Sequence, residues 1–136
     1  MILGIGVDII KTARFEGMTK NFMARVFTPR EQAYLSHKGY ISAAGLFAAK
    51  EAVAKALGTG FKGFWPNQIE ITHDGHGRPE VILHDKAARI AEIMAGGQEY
   101  GISLSISHTN SDAIAFVVIS KGNYPLTHEY TTGIVI

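Results

Sequence analysis

Three residues of the chain combine chemical capacity with unusual surroundings: Asp8, Glu51 and Lys55. Asp8 lies in the run Met1-Ile2-Leu3-Gly4-Ile5-Gly6-Val7-Asp8-Ile9-Ile10. The run is rich in β-branched residues and too short to span a bilayer, which predicts a buried strand. Under two-residue alternation Leu3, Ile5, Val7 and Ile9 share one face, and Gly4, Gly6 and Asp8 share the other. A carboxylate in an apolar strand is costly unless it meets a cation, a hydrogen-bond donor or water. Asp8 is therefore a metal ligand or a cap at the strand end. The glycines beside it let a ligand or another backbone approach closely.

Glu51 and Lys55 lie in the helix-like run Phe47 to Gly58. At about 100° per residue, Leu46, Ala49, Val53, Ala56 and Leu57 form one core-facing stripe. Glu51 points roughly the other way, with Lys55 one turn later on its own side. Around Glu51 stand Phe47, Ala48, Ala54 and Gly58, where a solvated surface would carry more Lys, Glu and Gln. Something packs close to this carboxylate, or it forms an ordinary Glu–Lys pair contributing about 0.2–0.5 kcal/mol.

The elements that must position these groups follow from period and punctuation. A short helix is expected within 12–24. Thr28-Pro29-Arg30-Glu31 predicts a helix start, with Thr28 as cap, Pro29 in the first turn and Glu31 closing a capping box, running to about Ser36. The long Ala-rich helix begins near Ser42 and stops at Gly58-Thr59-Gly60. Gln68–Thr72 and Val81–Leu83 are expected as strands around the turn Asp74-Gly75-His76-Gly77-Arg78-Pro79. Asp85–Met94 is expected as a helix, and Ile102–Ser107 and Ala113–Ser120 as the last two strands. Two strand–helix–strand–strand halves result. The fold class is α+β, a mainly antiparallel sheet packed by a long helix. Residues 1–121 form a single domain and 122–136 a tail, whose Thr131–Ile136 end is an edge strand or a free end. His73, Asp74 and His76 are expected in a solvated turn rather than a metal cluster, and His37, His84 and His128 form no constellation.

Composition bounds the function. A chain of 136 residues suits one domain with a core of its own. Hydrophobic content of 46% and charged content of 18% indicate a globular protein. The absence of cysteine excludes disulfides and thiolate metal sites and is compatible with a cytoplasmic location. No transmembrane span or signal peptide is expected. A formal net charge of +1 gives no bulk argument for nucleic acid. Basic residues nonetheless crowd the first 30 positions: Lys11, Arg14, Lys20, Arg25 and Arg30, against Asp8 and Glu16.

Gly4-Ile5-Gly6-Val7-Asp8-Ile9-Ile10, with Arg14 beyond it, resembles the first signature of the holo-[acyl-carrier-protein] synthases, the small bacterial 4′-phosphopantetheinyl transferases. Phe47-Ala48-Ala49-Lys50-Glu51-Ala52 followed by Lys55-Ala56-Leu57-Gly58-Thr59-Gly60 resembles the second. Ser105-Ile106-Ser107-His108-Thr109 leading into Ala113–Ile119 is similar to the late strand pair. The blocks keep the family's order and cover about the first 120 residues.

The resemblance implies transfer of a phosphopantetheine arm from coenzyme A to a serine of an acyl carrier protein, releasing adenosine 3′,5′-bisphosphate, in fatty acid biosynthesis. It implies Mg²⁺, with Mn²⁺ able to substitute, on Asp8 and Glu51, since this cation takes one or two carboxylates plus phosphate oxygens and water. Lys55 meets the pyrophosphate or assists proton movement. The general base is left between Glu51, Lys55 and a metal-bound water. Coenzyme A is expected against Lys55, Gly58, Thr59, Gly60, His108 and Thr109. Gly58-Thr59-Gly60 also serves as a helix C-cap, and no nucleotide P-loop is present, because no Gly-Lys-Ser/Thr follows.

Carrier proteins are acidic, so a basic docking surface follows, with Arg14, Lys20, Arg25 and Arg30 as charges and Met18 and Phe22 as apolar contacts between them. Relatives imply a homotrimer with interfacial active sites, and neither nucleic acid nor membrane as partner. One departure stands out. A basic residue often precedes the Phe-Ala-Ala-Lys-Glu-Ala block, and here that position is Leu46, which leaves Lys62, Lys50 or a neighbouring subunit to meet the 3′-phosphate. The rival readings are a non-catalytic coenzyme A or nucleotide-binding module of the same fold, a coenzyme A-dependent acyltransferase, and a basic interaction protein using residues 11–30.

Overall fold

The structure is a computed structural model that describes residues 1–122. Of the tail expected over 122–136, residues 123–136, with the Thr131–Ile136 segment, lie outside the described residues. The elements run β1 (Ile2–Lys11), a 3₁₀ turn (Thr12–Phe15), α1 (Lys20–Val26), α2 (Pro29–Leu35), α3 (Tyr40–Ala56), a second 3₁₀ turn (Pro66–Gln68), β2 (Ile69–His73), β3 (Pro79–Leu83), α4 (Asp85–Met94), β4 (Tyr100–His108) and β5 (Asp112–Lys121). The strands pair as β1-β5-β4 and β2-β3, every pair antiparallel, with β3 packed beside β4. The α+β architecture under one long helix is as expected. The sheet comes in two hydrogen-bonded pieces, and the second half enters directly on α4.

Helix α3 organises the molecule, packing against β1, β5, β4 and β2. It can lie so close to the sheet because β1 presents glycine to it. A Cβ on Gly6 would stand 1.8 Å from the Ala52 carbonyl oxygen, and one on Gly4 2.0 Å from that of Ala56. The space beside Asp8 that the sequence left open is therefore filled by the backbone of α3. The helix is buried nearly all round, Ala48 and Ala54 included, because the sheet covers one side while the 3₁₀ turn Thr12–Phe15, Glu31 of α2 and the segment 66–69 approach from others. The single core stripe expected from periodicity is thus one part of a wider buried surface.

The other face of β1 differs from expectation. Ile5, Val7 and Ile9 are 60%, 48% and 67% exposed, and Ile114 and Phe116 on β5 are also open. Register places Val7 opposite Phe116 and Ile9 opposite Ile114, so these side chains form one contiguous apolar surface. The strand composition reads as buried on both faces, yet within one chain only the glycine face is covered.

Helix α2 begins as predicted. Thr28 Oγ1 accepts from Glu31 N–H at 3.2 Å while Glu31 Oε1 accepts from Thr28 N–H at 2.8 Å. The same hydroxyl donates to Glu70 Oε2 at 2.6 Å, tying α2 to β2. Thr28→Val removes the cap and a buried carboxylate's donor together, so we expect about 1–3 kcal/mol of lost stability in urea unfolding.

Candidate active site

Asp8 sits near the end of β1, on the face that α3 covers, and its side chain is 17% exposed. Lys55 leaves the last turn of α3 and reaches back over β1. Its ammonium lies 3.1 Å from Asp8 Oδ1 and donates to the Val7 carbonyl at 2.9 Å. Glu51, one turn earlier and half-buried, falls under the charges of both. Burial, then the nearby Asp8 carboxylate, pushes the Glu51 carboxyl above its ordinary range, against the pull of Lys55 and Arg14. Two carboxylates and an ammonium thus converge where strand and helix edges meet, with more negative charge than Lys55 alone neutralises. This donor set fits a hard divalent cation that completes its shell with phosphate oxygens and water. No cluster of three or more ligating side chains occurs among the described residues, so that cation would share Asp8 and Glu51 only.

The turn after α3 ends the helix as expected. Gly58 and Gly60 take positive φ of 83° and 57°. Their N–H groups donate to the carbonyls of Lys55 at 2.9 Å and Ala54 at 3.1 Å. The C-cap reading holds, and those two N–H groups are engaged inside the helix end. Thr59 Oγ1 donates to the Gly60 carbonyl at 2.8 Å. A cavity of about 430 Å³ begins one residue further, between Phe61, Phe64, Trp65, Pro66 and Lys86.

His108 and Thr109 are not brought to this point within one chain. β5 separates their strand from β1, and His108 lines a different recess with Tyr34, Ile41, Leu46, His73 and Ile106. Thr109 Oγ1 accepts from Ser111 and Asp112 N–H at 3.2 and 3.1 Å, capping the β4–β5 turn. His73 stacks on Tyr34 at 4.3 Å and is half-buried, more enclosed than the solvated turn expected for it. Asp74 Oδ1 holds that turn by accepting from His76 and Arg78 N–H.

The basic residues of the N-terminal third lie mainly on the surface. Arg14, Lys20, Arg25 and Arg30 are exposed, and Met18 and Phe22 are half-buried against the core. The Phe15 ring packs 6.0 Å from Phe22 and 5.3 Å from Phe47, and the Arg14 guanidinium lies 5.9 Å over Phe47. Arg14 also bears electrostatically on Glu51, so this surface begins at the acidic pair. Arg30 stays exposed while its guanidinium lies 3.8 Å from the buried Glu70.

Periodicity missed one group. Lys50, weighed above as a phosphate contact, is fully buried. Its ammonium is 2.7 Å from Glu31 Oε1, donates to the Pro66 carbonyl at 3.0 Å and to the Ile69 carbonyl, and lies 5.7 Å from the Phe27 ring centroid. Burial pulls its pKa below the ordinary lysine value while Glu31 and Glu70 hold it up. It is removed as a partner for any ligand. The signal was a lysine whose helical neighbours Phe47, Val53 and Ala54 are all apolar.

The sequence profile of the 4′-phosphopantetheinyl transferase superfamily matches residues 4–117, from the glycine-faced strand to β5, and the chain belongs to this family. Its relatives there are holo-[acyl-carrier-protein] synthases. The synthase of Clostridium perfringens is 48% identical over 130 residues, 91% of this chain and 97% of that one. The crystal structure of the Bacillus anthracis synthase in complex with CoA (3′,5′-ADP) is similar at a TM-score of 0.74 and 37% identity, covering 90% of this chain and 99% of that one. The Helicobacter pylori synthase in complex with coenzyme A matches at a TM-score of 0.72 and 34% identity, covering 85% and 99%.

Proposed function

We propose that this protein is a holo-acyl-carrier-protein synthase, transferring 4′-phosphopantetheine from coenzyme A to a serine hydroxyl of an apo acyl carrier protein. The observation that carries the reading is the meeting of Asp8, Glu51 and Lys55 at one edge of α3, in a chain that matches synthases along nearly its full length. In the reaction the serine hydroxyl gives its proton to a base or water at this edge, its oxygen bonds to the β-phosphorus, the bond from that phosphorus to the bridging oxygen breaks, and adenosine 3′,5′-bisphosphate leaves with that oxygen. Such transfers depend on positioning and on neutralising phosphate charge. Lys55 brings a fixed ammonium to the phosphate, held in place by Asp8 and the Val7 carbonyl. Mg²⁺ on Asp8 and Glu51 would supply the remaining positive charge, with Mn²⁺ as substitute. Gly58, Thr59 and Gly60 border the phosphate. A non-catalytic binding module gains nothing from an acidic pair beside a polyanion.

The surface of Arg14, Met18, Lys20, Phe22, Arg25 and Arg30 receives the acidic carrier protein next to the reacting phosphate. Its charges steer the encounter, so KM for the carrier rises with salt. The open apolar face of Ile5, Val7, Ile9, Ile114 and Phe116 supports assembly, as isolated soluble chains rarely leave such patches bare. In the trimer we infer, sites form between subunits, and His108 and Thr109 of one chain reach coenzyme A bound at the Asp8–Glu51 edge of its neighbour. Phe116→Asp is expected to convert a species three times the 14.7 kDa chain mass into monomer in sedimentation, with transfer lost alongside. No helix among the described residues is long and apolar enough to cross a membrane, and a cytoplasmic location fits the reaction's partners.

The deciding experiment is the intact mass of an apo carrier protein after incubation with this protein, coenzyme A and Mg²⁺, with EDTA and Glu51→Ala controls. A phosphopantetheine-sized gain, lost in both controls, is expected. An acyl-sized gain would point to an acyltransferase. No gain with coenzyme A binding intact would point to a binding module.

A further inference from the structure

The residue beside Glu51 carries an unused charge. Lys50 stands about 100° round α3 from Glu51, and its side chain turns into the protein. Its partners come from two other places in the chain. Glu31 belongs to the α2 capping box and also accepts from the Ile71 N–H at 2.7 Å through its second oxygen. The Pro66 and Ile69 carbonyls belong to the segment leading from the Gly58–Gly60 turn into β2. One ammonium, with three donors, meets three acceptors from these segments, and no buried side-chain nitrogen or oxygen among the described residues lacks a partner.

A buried ion pair is weak evidence for stability, since two apolar residues of similar size commonly do as well. What it supplies is geometry. Seven of the eleven buried residues of α3 are alanine, whose small side chains resist rotation about the helix axis less than large ones do. Turning α3 by a fraction of its pitch would carry Glu51 and Lys55 away from Asp8. Lys50, bonding outward from the same helical step, is placed to resist that turn. It also ties the segment after the glycine turn to the helix.

Resting on the transferase reading above, we propose that Lys50 is a positioning residue: its buried ammonium sets the rotation of α3 that aims Glu51 and Lys55 at Asp8, and it clamps the 66–69 end of the segment that follows the glycine turn. The test separates position from stability with the paired variant Glu31→Gln/Lys50→Met, which removes both buried charges and keeps their volumes. Its melting temperature is expected to fall, because the Pro66 and Ile69 carbonyls lose their donor and the new amide nitrogen faces a backbone N–H, so activity is read below its melting range. Its kcat is expected to fall about 10²-fold, the scale of a misplacement near 1 Å, with KM for coenzyme A changed far less. The single tryptophan, Trp65, adjoins Pro66 and reports the clamp without substrate. Its time-resolved fluorescence anisotropy is expected to decay faster in the paired variant. A folded paired variant with parental kcat and parental Trp65 anisotropy below its melting range overturns the proposal.

Glu31→Gln alone keeps Lys50 and both carbonyl contacts and guards against a paired variant that fails to fold. Measured below its melting range, it is expected to lose stability and keep kcat within about threefold, because the clamp is intact. A loss of 10²-fold there would overturn the proposal by assigning the effect to Glu31. A parent protein that transfers nothing sinks the transferase reading, while the Trp65 comparison still decides the clamp.

Discussion

Glu51→Gln is expected to lower transfer by at least about 10³-fold, on the several kcal/mol that a bound metal contributes to phosphoryl transfer, while raising the melting temperature of the metal-free protein at neutral pH. Burial, and then the Asp8 carboxylate, holds the Glu51 carboxyl above its ordinary range. The folded state therefore binds this proton more tightly than the unfolded chain. A group shifted upward contributes stability that is fully present below its unfolded pKa and lost as pH rises through the folded value. Above that window the folded protein carries an unwelcome charge, which the amide lacks. Thermal melts in EDTA from acid to mildly alkaline pH should show the variant's advantage appearing above the ordinary glutamate range and then levelling off. Added Mg²⁺ should stabilise the parent more than the variant, because the cation relieves the same repulsion. A variant less stable than the parent at every pH, or one that retains transfer, would contradict the assignment of Glu51 as a strained metal-binding carboxylate.

Gly6→Ala is expected to be among the most damaging substitutions in the chain. The added Cβ would stand 1.8 Å from the Ala52 carbonyl oxygen, 2.8 Å from its carbon and 2.9 Å from the Ala56 nitrogen. All three are backbone atoms of α3, so no side chain can swing aside. Helix and strand must separate, uncovering the core and moving Asp8 away from Glu51 and Lys55. We expect a loss above about 3 kcal/mol, at the upper end of overpacking penalties, read as failure to melt cooperatively or to remain soluble. Gly45→Ala is the contrast. Its Cβ would meet only the Ile106 Cγ2, at 3.3 Å, a side-chain atom that can yield by a few tenths of an ångström. Alanine in place of glycine inside a helix also gains about 1 kcal/mol of propensity. Equal damage from the two changes would show that close contact between α3 and β1 is not what Gly6 provides.

The local elements were legible because their signals are local. The capping box at Thr28 and Glu31, the glycine stop after α3, the turn around Asp74 and the helix at Asp85–Met94 depend on neighbours a few residues away, and all appear where the residues placed them. Asp8, Glu51 and Lys55 stood out because a charge among small or apolar residues needs a reason.

Other features were set by distant partners, and no period can reveal those. Whether the bulky or the glycine face of β1 met the core depended on α3, which takes the bare face because only there can two backbones approach so closely. The bulky face was left open in the chain, which is the physical basis for expecting a subunit against it. Lys50 looked like an ordinary helix lysine until Glu31, 19 positions earlier, and the Pro66 and Ile69 carbonyls were placed around it. Residue types and spacing determined which groups carry the chemistry and which elements hold them. Tertiary packing decided which faces meet, which charges are buried and how Asp8 comes to lie beside Lys55, because those outcomes depend on desolvation and close contact between segments far apart in the chain.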